Sequence, residues 1–454
     1  MRIALFAPHL TRKSGIAAYT AALLPWMARR HVIDLFTDET PEHGDVPRGS
    51  ARAFSADDIV WRQAQDPYDL IIYQLGNSPA HDYMWPYLAR FPGLVVIHDG
   101  NLQAARTHYF FSRGDLEGYR AEFAYNDPHH AAAAELVIAG LSKTLRLQWP
   151  MLRLVVSTAR TVAVHNEWLA ARLRDRYPHA HIEVIRPGMD DPVSEDAEKT
   201  GATIRARHGL PSNAVVFGAF GWVTPEKRVP QIVRAMASLA EEEPNAHLLL
   251  VGSPVDHYDV HADLRAAGLD SRVTLSGYVD DDEMLRYLSA TDVCLCLRWP
   301  TMRETSATWL RALAAGKATI ITDLAHNHDV PVLSAAALSQ SASIVQGGAS
   351  PAPVAVAVDI WDEGRSLPVA ISALARKADL RQRLGATARA YWNANHRMDH
   401  SAKDYERVMR ATVAQPTVRP ALPPHLDDDG SRHAQGILKP FGVMPNFLRP
   451  AGND

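Results

Sequence analysis

One grammar, written twice, constrains the fold more than anything else in this sequence. A short apolar run leads to a polar or glycine-bearing turn, a helix-periodic segment follows, and another apolar run begins. In the first half the runs fall at 3–6, 32–36, 69–75, 94–97, 161–165 and 182–185; in the second they fall at 215–220, 247–251, 273–275, 292–297 and 318–323. Runs this continuously apolar read as strands buried on both faces, and strands alternating with helices build an open parallel sheet. Arg186-Pro187-Gly188-Met189-Asp190-Asp191-Pro192 interrupts the grammar, and a polar stretch to Gly201 follows. With 454 residues the chain is long enough for two cores, so two Rossmann-like α/β domains are expected. The boundaries predicted are 1–190 and 191–385, with closing helices over 386–412 packing back on the first domain and a proline-rich tail over 413–454.

In such sheets ligands collect outside the carboxyl ends of the strands. That rule places Asn77, His81, His98 and Asp99 at the functional edge of the first domain, and Gly221, Trp222, Lys227, Gly252, Gly277 and Tyr278 at that of the second. An ordinary loop pair fits His98-Asp99 as well, and an ordinary turn glycine fits Gly15. The stretch 292–323 is the richest: strand, polar turn, short helix, strand. Thr305 and Ser306 are its N-cap candidates and Gly316 its stop. A helix start after a strand offers unpaired N–H groups and a positive dipole end to an anion. Two consecutive open domains further imply a cleft lined by strand-end loops of both.

Several classes are excluded. A net charge of -4 without a Lys/Arg-rich tract argues against nucleic acid. The two cysteines, Cys294 and Cys296, are read as small core residues facing opposite sides of one strand, and His129-His130 lacks the spacing of a zinc site, so no metal centre is expected. No run approaches the ~18 residues of a membrane span, and the N-terminal run is too short for a signal peptide. A cytoplasmic protein is expected, with peripheral contact at the inner membrane face left open. The aromatics over 109–125 are read as helix packing. A Rossmann dehydrogenase is rejected because no strand-end loop carries Gly-x-Gly-x-x-Gly.

Taken together, Ser14-Gly15-Ile16, Gln74-Leu75-Gly76-Asn77-Ser78, Ile97-His98-Asp99, Gly221-Trp222-Val223-Thr224-Pro225-Glu226-Lys227, Val251-Gly252, Ser276-Gly277-Tyr278 and Leu310-Arg311-Ala312-Leu313-Ala314-Ala315-Gly316-Lys317 resemble, in order and spacing, the retaining GT-B glycosyltransferases of family 4. The resemblance spans roughly residues 1 to 412. It implies transfer of a sugar from a UDP- or GDP-sugar donor to a glycan, lipid-linked or small-molecule acceptor, with no cofactor and no obligatory metal. It assigns the diphosphate to Lys227 and the turn Glu304-Thr305-Ser306, the transferred sugar to His98, the close approach of the first loop to Gly15, and the nucleobase to Gly277 and Tyr278. Asn77, His81 and Asp99 fall on its acceptor side.

Three departures qualify that reading. Trp222 stands where the family commonly has an arginine, and Arg303 and Arg311 stand where it has a pair of glutamates. A guanidinium accepts no hydrogen bond, so Arg311 cannot grip ribose hydroxyls as a carboxylate would. It either supplies the lost cation or lies on the solvent face. Glu304, one position out of register, is left to carry the first glutamate's work. The alternatives kept open are an inert GT-B partner or regulatory subunit, and an epimerase or phosphorylase on the same fold.

Overall fold

A computed structural model describes residues 1–39, 46–141, 147–193, 196–211, 213–340, 352–417, 420–427 and 438–442. The chain divides into two compact units: Met1–Val164, Ala170–Val184 and Glu406–Asp454 form the first, and His165–Leu169 with Ile185–Tyr405 the second.

The first unit is built on a seven-stranded, wholly parallel sheet of β1 (Arg2–Phe6), β2 (Val32–Thr37), β3 (Arg52–Ser55), β4 (Leu70–Leu75), β5 (Leu94–Ile97), β6 (Thr161–Val164) and β7 (Ile182–Val184), in the order β3-β2-β1-β4-β5-β6-β7. Every residue of β4, β5 and β6 is buried, which is why these strands read as apolar runs broken only by Gln74 in β4 and Thr161 in β6. The second unit repeats the plan with β8 (Val215–Phe220), β9 (Ala246–Val251), β10 (Val273–Leu275), β11 (Val293–Cys296), β12 (Ala318–Thr322), β13 (Val332–Ser334) and β14 (Ala355–Val358), in the order β10-β9-β8-β11-β12-β14-β13. In both units the order reverses beside the first strand, between β1 and β4 and between β8 and β11. Those reversals are the topological switch points at which such sheets open a crevice.

The strands expected from the sequence are present within a residue or two, and two of the three not expected, β3 and β13, have little apolar signal. β3 is the polar edge run Arg52-Ala53-Phe54-Ser55, and β13 is a three-residue edge strand with two exposed positions. β14 is a buried run of alternating Ala and Val, and the sequence leads to no expected element there, over 52–65 or over 332–340. The helix Ala197–Arg207 occupies part of the stretch read as a polar linker. Cys294 and Cys296 are free and do not face opposite sides. Residues two apart on a strand share a face, and both pack toward the cluster of Val216, Phe220 and Leu288. The aromatics Phe110, Tyr119 and Phe123 are buried together in helix packing, as expected.

The closing elements differ from the expectation. The helix Ala378–Asn395 packs in the second unit, where Ala388 and Trp392 join Trp309, Leu310 and Ile321, and the chain rejoins the first unit only at Glu406. In the tail, a short helix at Pro424–Asp427 docks through His425, whose Nε2 lies 2.8 Å from the buried carboxylate of Glu122 and whose ring meets Phe110 edge-on. Phe441, an apolar residue of the tail, is largely exposed, and Val443, Met444, Phe447 and Leu448 lie outside the described residues.

Gly316 stops its helix at φ +65°, and Gly385 lets the helix Ala378–Asn395 close on it, because a Cβ at Gly385 would overlap the Gly316 carbonyl oxygen. Gly385→Ala is expected to cost about 1–3 kcal/mol by overpacking. Gly364→Ala, where an added Cβ meets nothing, is expected to leave stability unchanged or raise it. Urea unfolding of the two variants checks the contrast.

Candidate functional site

In the second unit the loops after β8 and β11 flank the switch point. The two strands are paired at Val293↔Phe217 and Cys294↔Gly218 and no further, so their carboxyl ends part before Phe220 and Cys296 are reached. Gly221 turns the chain at φ +84°, Thr224 accepts from Lys227 N at 3.3 Å, and Pro225–Lys227 forms a single tight turn. That turn sends Lys227 back toward the crevice, where its ammonium donates to the Phe220 carbonyl. Burial, and after it the charge of Arg298, lowers the lysine to about 7. A Cβ at Gly221 would collide with Nζ, so the glycine is needed there for space as well as for its backbone angle.

Arg298 stands two residues beyond β11. Its N–H donates to Thr322 Oγ1 at 2.9 Å, and its guanidinium donates to Glu304. Glu304 also accepts from Thr301 Oγ1 at 3.0 Å, and its side chain is only 13% exposed. Ser306 caps the helix Ala307–Ala314 by accepting from Trp309 N, as the sequence indicated; Thr305 precedes the cap. Arg311 does not point to solvent. It donates to both carboxylate oxygens of Asp281, at 3.1 and 3.2 Å, on the helix Asp281–Ser289. Gly252 and Gly277 form an isolated bridge at the ends of β9 and β10, and a Cβ at Gly252 would run into the Gly221 carbonyl. Gly221, Gly252 and Gly277 thus bring three neighbouring strand ends together. Trp222 and Tyr278 lie beside them, more than half exposed.

The first unit gathers the other residues at the ends of β4 and β5. His98 Nε2 lies 2.7 Å from Gln74 Oε1, with the Tyr19 ring edge-on at 5.4 Å. Asp99 accepts from Asn77 N at 2.7 Å, and Asn77 Oδ1 accepts from Ala105 N at 2.9 Å. His81 is buried with Nδ1 3.0 Å from the Gln74 carbonyl; burial lowers it to about 4 and keeps it neutral. Gly15 opens the helix Gly15–Met27, and a Cβ there would meet nothing within 4 Å. The sequence assigns no site role to Gln74, Tyr19, Arg298 or Thr301, although Gln74 stands in a motif that carries the resemblance. Arg298 was within reach of the strand-end rule, since it follows the apolar run directly, whereas Gln74 lies inside a strand.

Residues 212–340 match the family model for glycosyl transferases group 1. The chain resembles that family over this stretch, which is less than a third of its length. It is 30% identical over 155 residues to the mannosylfructose-phosphate synthase of Agrobacterium fabrum, an alignment covering 31% of this chain and 32% of that protein. It is 30% identical over 115 residues to the 2-deoxystreptamine glucosyltransferase of Streptomyces kanamyceticus, covering 25% and 30%. The alignments therefore span about a third of the length of these curated relatives. Among solved structures, the sucrose-phosphate synthase of Thermosynechococcus elongatus superposes at a TM-score of 0.62, with 17% identity over 91% of this chain and 99% of that one. Anabaena HepE in complex with UDP and glucose superposes at 0.58, with 15% identity over 90% and 100%. At these identities the likeness speaks for the fold alone, and that fold is GT-B: two Rossmann-like units on parallel seven-stranded sheets.

The Lys227 ammonium titrates near 7 when folded and near ~10.4 when unfolded, so the unfolded chain binds more protons between those values and the lysine costs stability below them. Lys227→Met is therefore expected to raise the thermal midpoint, by an equivalent of about 1 kcal/mol or more, at pH 7 and below. The gain shrinks as pH rises from 7 toward 10. Calorimetric scans between pH 6 and 9 check the sign.

Proposed function

We propose that this chain is a retaining glycosyltransferase that moves a sugar from a nucleoside diphosphate donor to a glycan, lipid-linked or small-molecule acceptor, without an obligatory metal. The observation that carries the reading is Lys227: a desolvated ammonium at the switch point of the second sheet, beside a second cation and among strand ends brought together by glycines. Holding a lysine there costs folding energy, and a bound polyanion recovers it. As the glycosidic bond to the diphosphate breaks, negative charge grows on the leaving phosphate, and a fixed cation in a dry site stabilises it. The capped start of the helix Ala307–Ala314 adds the dipole. The match over 212–340 lies on this half of the chain, and the Anabaena relative of the same fold was solved with UDP and glucose.

His98 is the residue assigned to the sugar. Gln74 and Tyr19 fix its ring at the end of β5, so one face of the imidazole is positioned by the protein. Asn77, His81 and Asp99 around it make the acceptor side, and Tyr278 with Gly277 the side of the nucleobase. No described helix is long and apolar enough to cross a membrane, and contact of this chain with a membrane surface belongs to the choice of a lipid-linked acceptor.

The departures at Trp222, Arg303 and Arg311 motivate an inert subunit as the second reading, and a hydrolysis screen across UDP- and GDP-sugars separates the two without any acceptor. Release of nucleotide from one donor supports the enzyme. No turnover, together with no thermal stabilisation by UDP, GDP or ADP, supports the inert subunit; a ligand at 100 times its Kd adds about 2.7 kcal/mol. Lys227→Ala is expected to lower turnover about 100-fold or more by removing charge stabilisation. His98→Ala is expected to keep nucleotide affinity and lose transfer, which calorimetric titration and a transfer assay read separately.

A further inference from the structure

We infer that Arg298 is a donor-binding residue: it is the second cation of the anion site at Lys227, and Glu304 is the internal carboxylate that occupies it until a phosphate takes its place. The inference rests on the donor reading above. Four observations carry it, and the first is topological. Lys227 and Arg298 sit on the two loops that flank the β8/β11 switch point, beyond the place where those strands separate. The second is a bond between the loops. Trp299 N donates to the Glu226 carbonyl at 2.8 Å, joining the residue after Arg298 to the residue before Lys227. The third is anchorage, because the Arg298 N–H to Thr322 Oγ1 fixes the arginine's backbone against β12.

The fourth is charge. Lys227 donates to a carbonyl and Arg298 to a carboxylate, so Glu304 answers one of two neighbouring cations and leaves a positive surplus. Glu304 is itself held in place by Thr301. A phosphate presents the same acceptor geometry to a guanidinium as a carboxylate does, so the two compete for the same donors. Trp222, on the β8 loop, brings no charge to this competition.

Arg298→Gln and Glu304→Gln move nucleotide affinity in opposite directions if this is right. Calorimetric titration of the full chain with UDP, GDP and inorganic pyrophosphate, and separately with uridine and guanosine, reads the effect. Arg298→Gln is expected to weaken the phosphate-bearing ligands about tenfold or more while leaving the nucleosides unchanged. Arg298→Lys keeps the charge and is expected to bind between the two. Glu304→Gln is expected to match or exceed the affinity of the unaltered chain, because the competing carboxylate is gone. Arg286→Gln, on an exposed helix face, is the control for loss of one positive charge. Thermal midpoints confirm that each variant is folded. Unchanged affinity in folded Arg298→Gln overturns the inference and leaves the donor reading standing. A loss in Glu304→Gln as large as that in Arg298→Gln also overturns it, since the carboxylate would then be gripping the ligand. Absence of binding by the unaltered chain overturns the donor reading and this inference together.

Discussion

Keeping the ammonium of Lys227 out of water is the interaction to which the rest of the second unit's site is fitted. A desolvated ammonium paired with a carbonyl rather than a carboxylate is expensive, and burial, ahead of the charge of Arg298, is the leading cause of this lysine's depression. The surroundings limit the cost locally. The Phe220 carbonyl accepts from Nζ, Gly221 leaves room for it, and Thr224 and Pro225 hold the turn that aims it. Below it, Cys296 is pushed up to about 12, by burial first, and stays a neutral thiol that adds no charge to the floor of the crevice. The parting of β8 and β11 lies next to these groups, while the remaining ladder at Val293↔Phe217 and Cys294↔Gly218 holds both strands.

The first unit solves a different problem with the same means. Arg106 and Glu122 are fully buried and joined by two hydrogen bonds at 2.6 and 2.7 Å, with the guanidinium over the rings of Trp85 and Tyr109. Asp34 on β2 is likewise buried, and answers Arg52 and the Tyr68 hydroxyl. Such pairs are costly when either partner is removed, so they fix the helices and edge strands around the sheet without serving the strand ends. The carboxyl ends of β4 and β5 hold instead short polar contacts among Gln74, Asn77, His98 and Asp99. The rigid scaffold and the strand-end contacts are thereby separated within one unit.

The fold was legible where burial imposes a pattern. Strands covered on both faces are mostly apolar, and β1, β4, β5, β8 and β9 are therefore visible in one sequence despite a buried Gln74 in β4 and His247 in β9. Edge strands carry no such obligation, and Arg52–Ser55 and Val332–Ser334 passed unread for that reason. Of the candidate site, the residues at strand ends were legible because topology puts them there. Their partners were not. That Gln74 holds His98, that Thr322 anchors Arg298 and that Asp281 engages Arg311 are facts of tertiary neighbourhood, and no local spacing encodes them.

The arginines around the turn illustrate why residue type alone decided so little. Arg298, Arg303 and Arg311 look equivalent as replacements for lost carboxylates or as added cations, but the structure gives each a different occupation. Arg311 is spent on Asp281, across the groove between two helices. Arg303, at φ +63°, lies over the ring of Trp168 at 5.6 Å, and its backbone carbonyl accepts from Asn166. Arg298 is held by Glu304, close enough to Lys227 to act on its titration. A charge committed to a fixed partner on a packed helix is structural, whereas one set against a partner that a phosphate can replace, at a switch point, is available to a ligand. On that distinction Glu304 matters less as a carboxylate for sugar or ribose than as the group that decides when Arg298 is free.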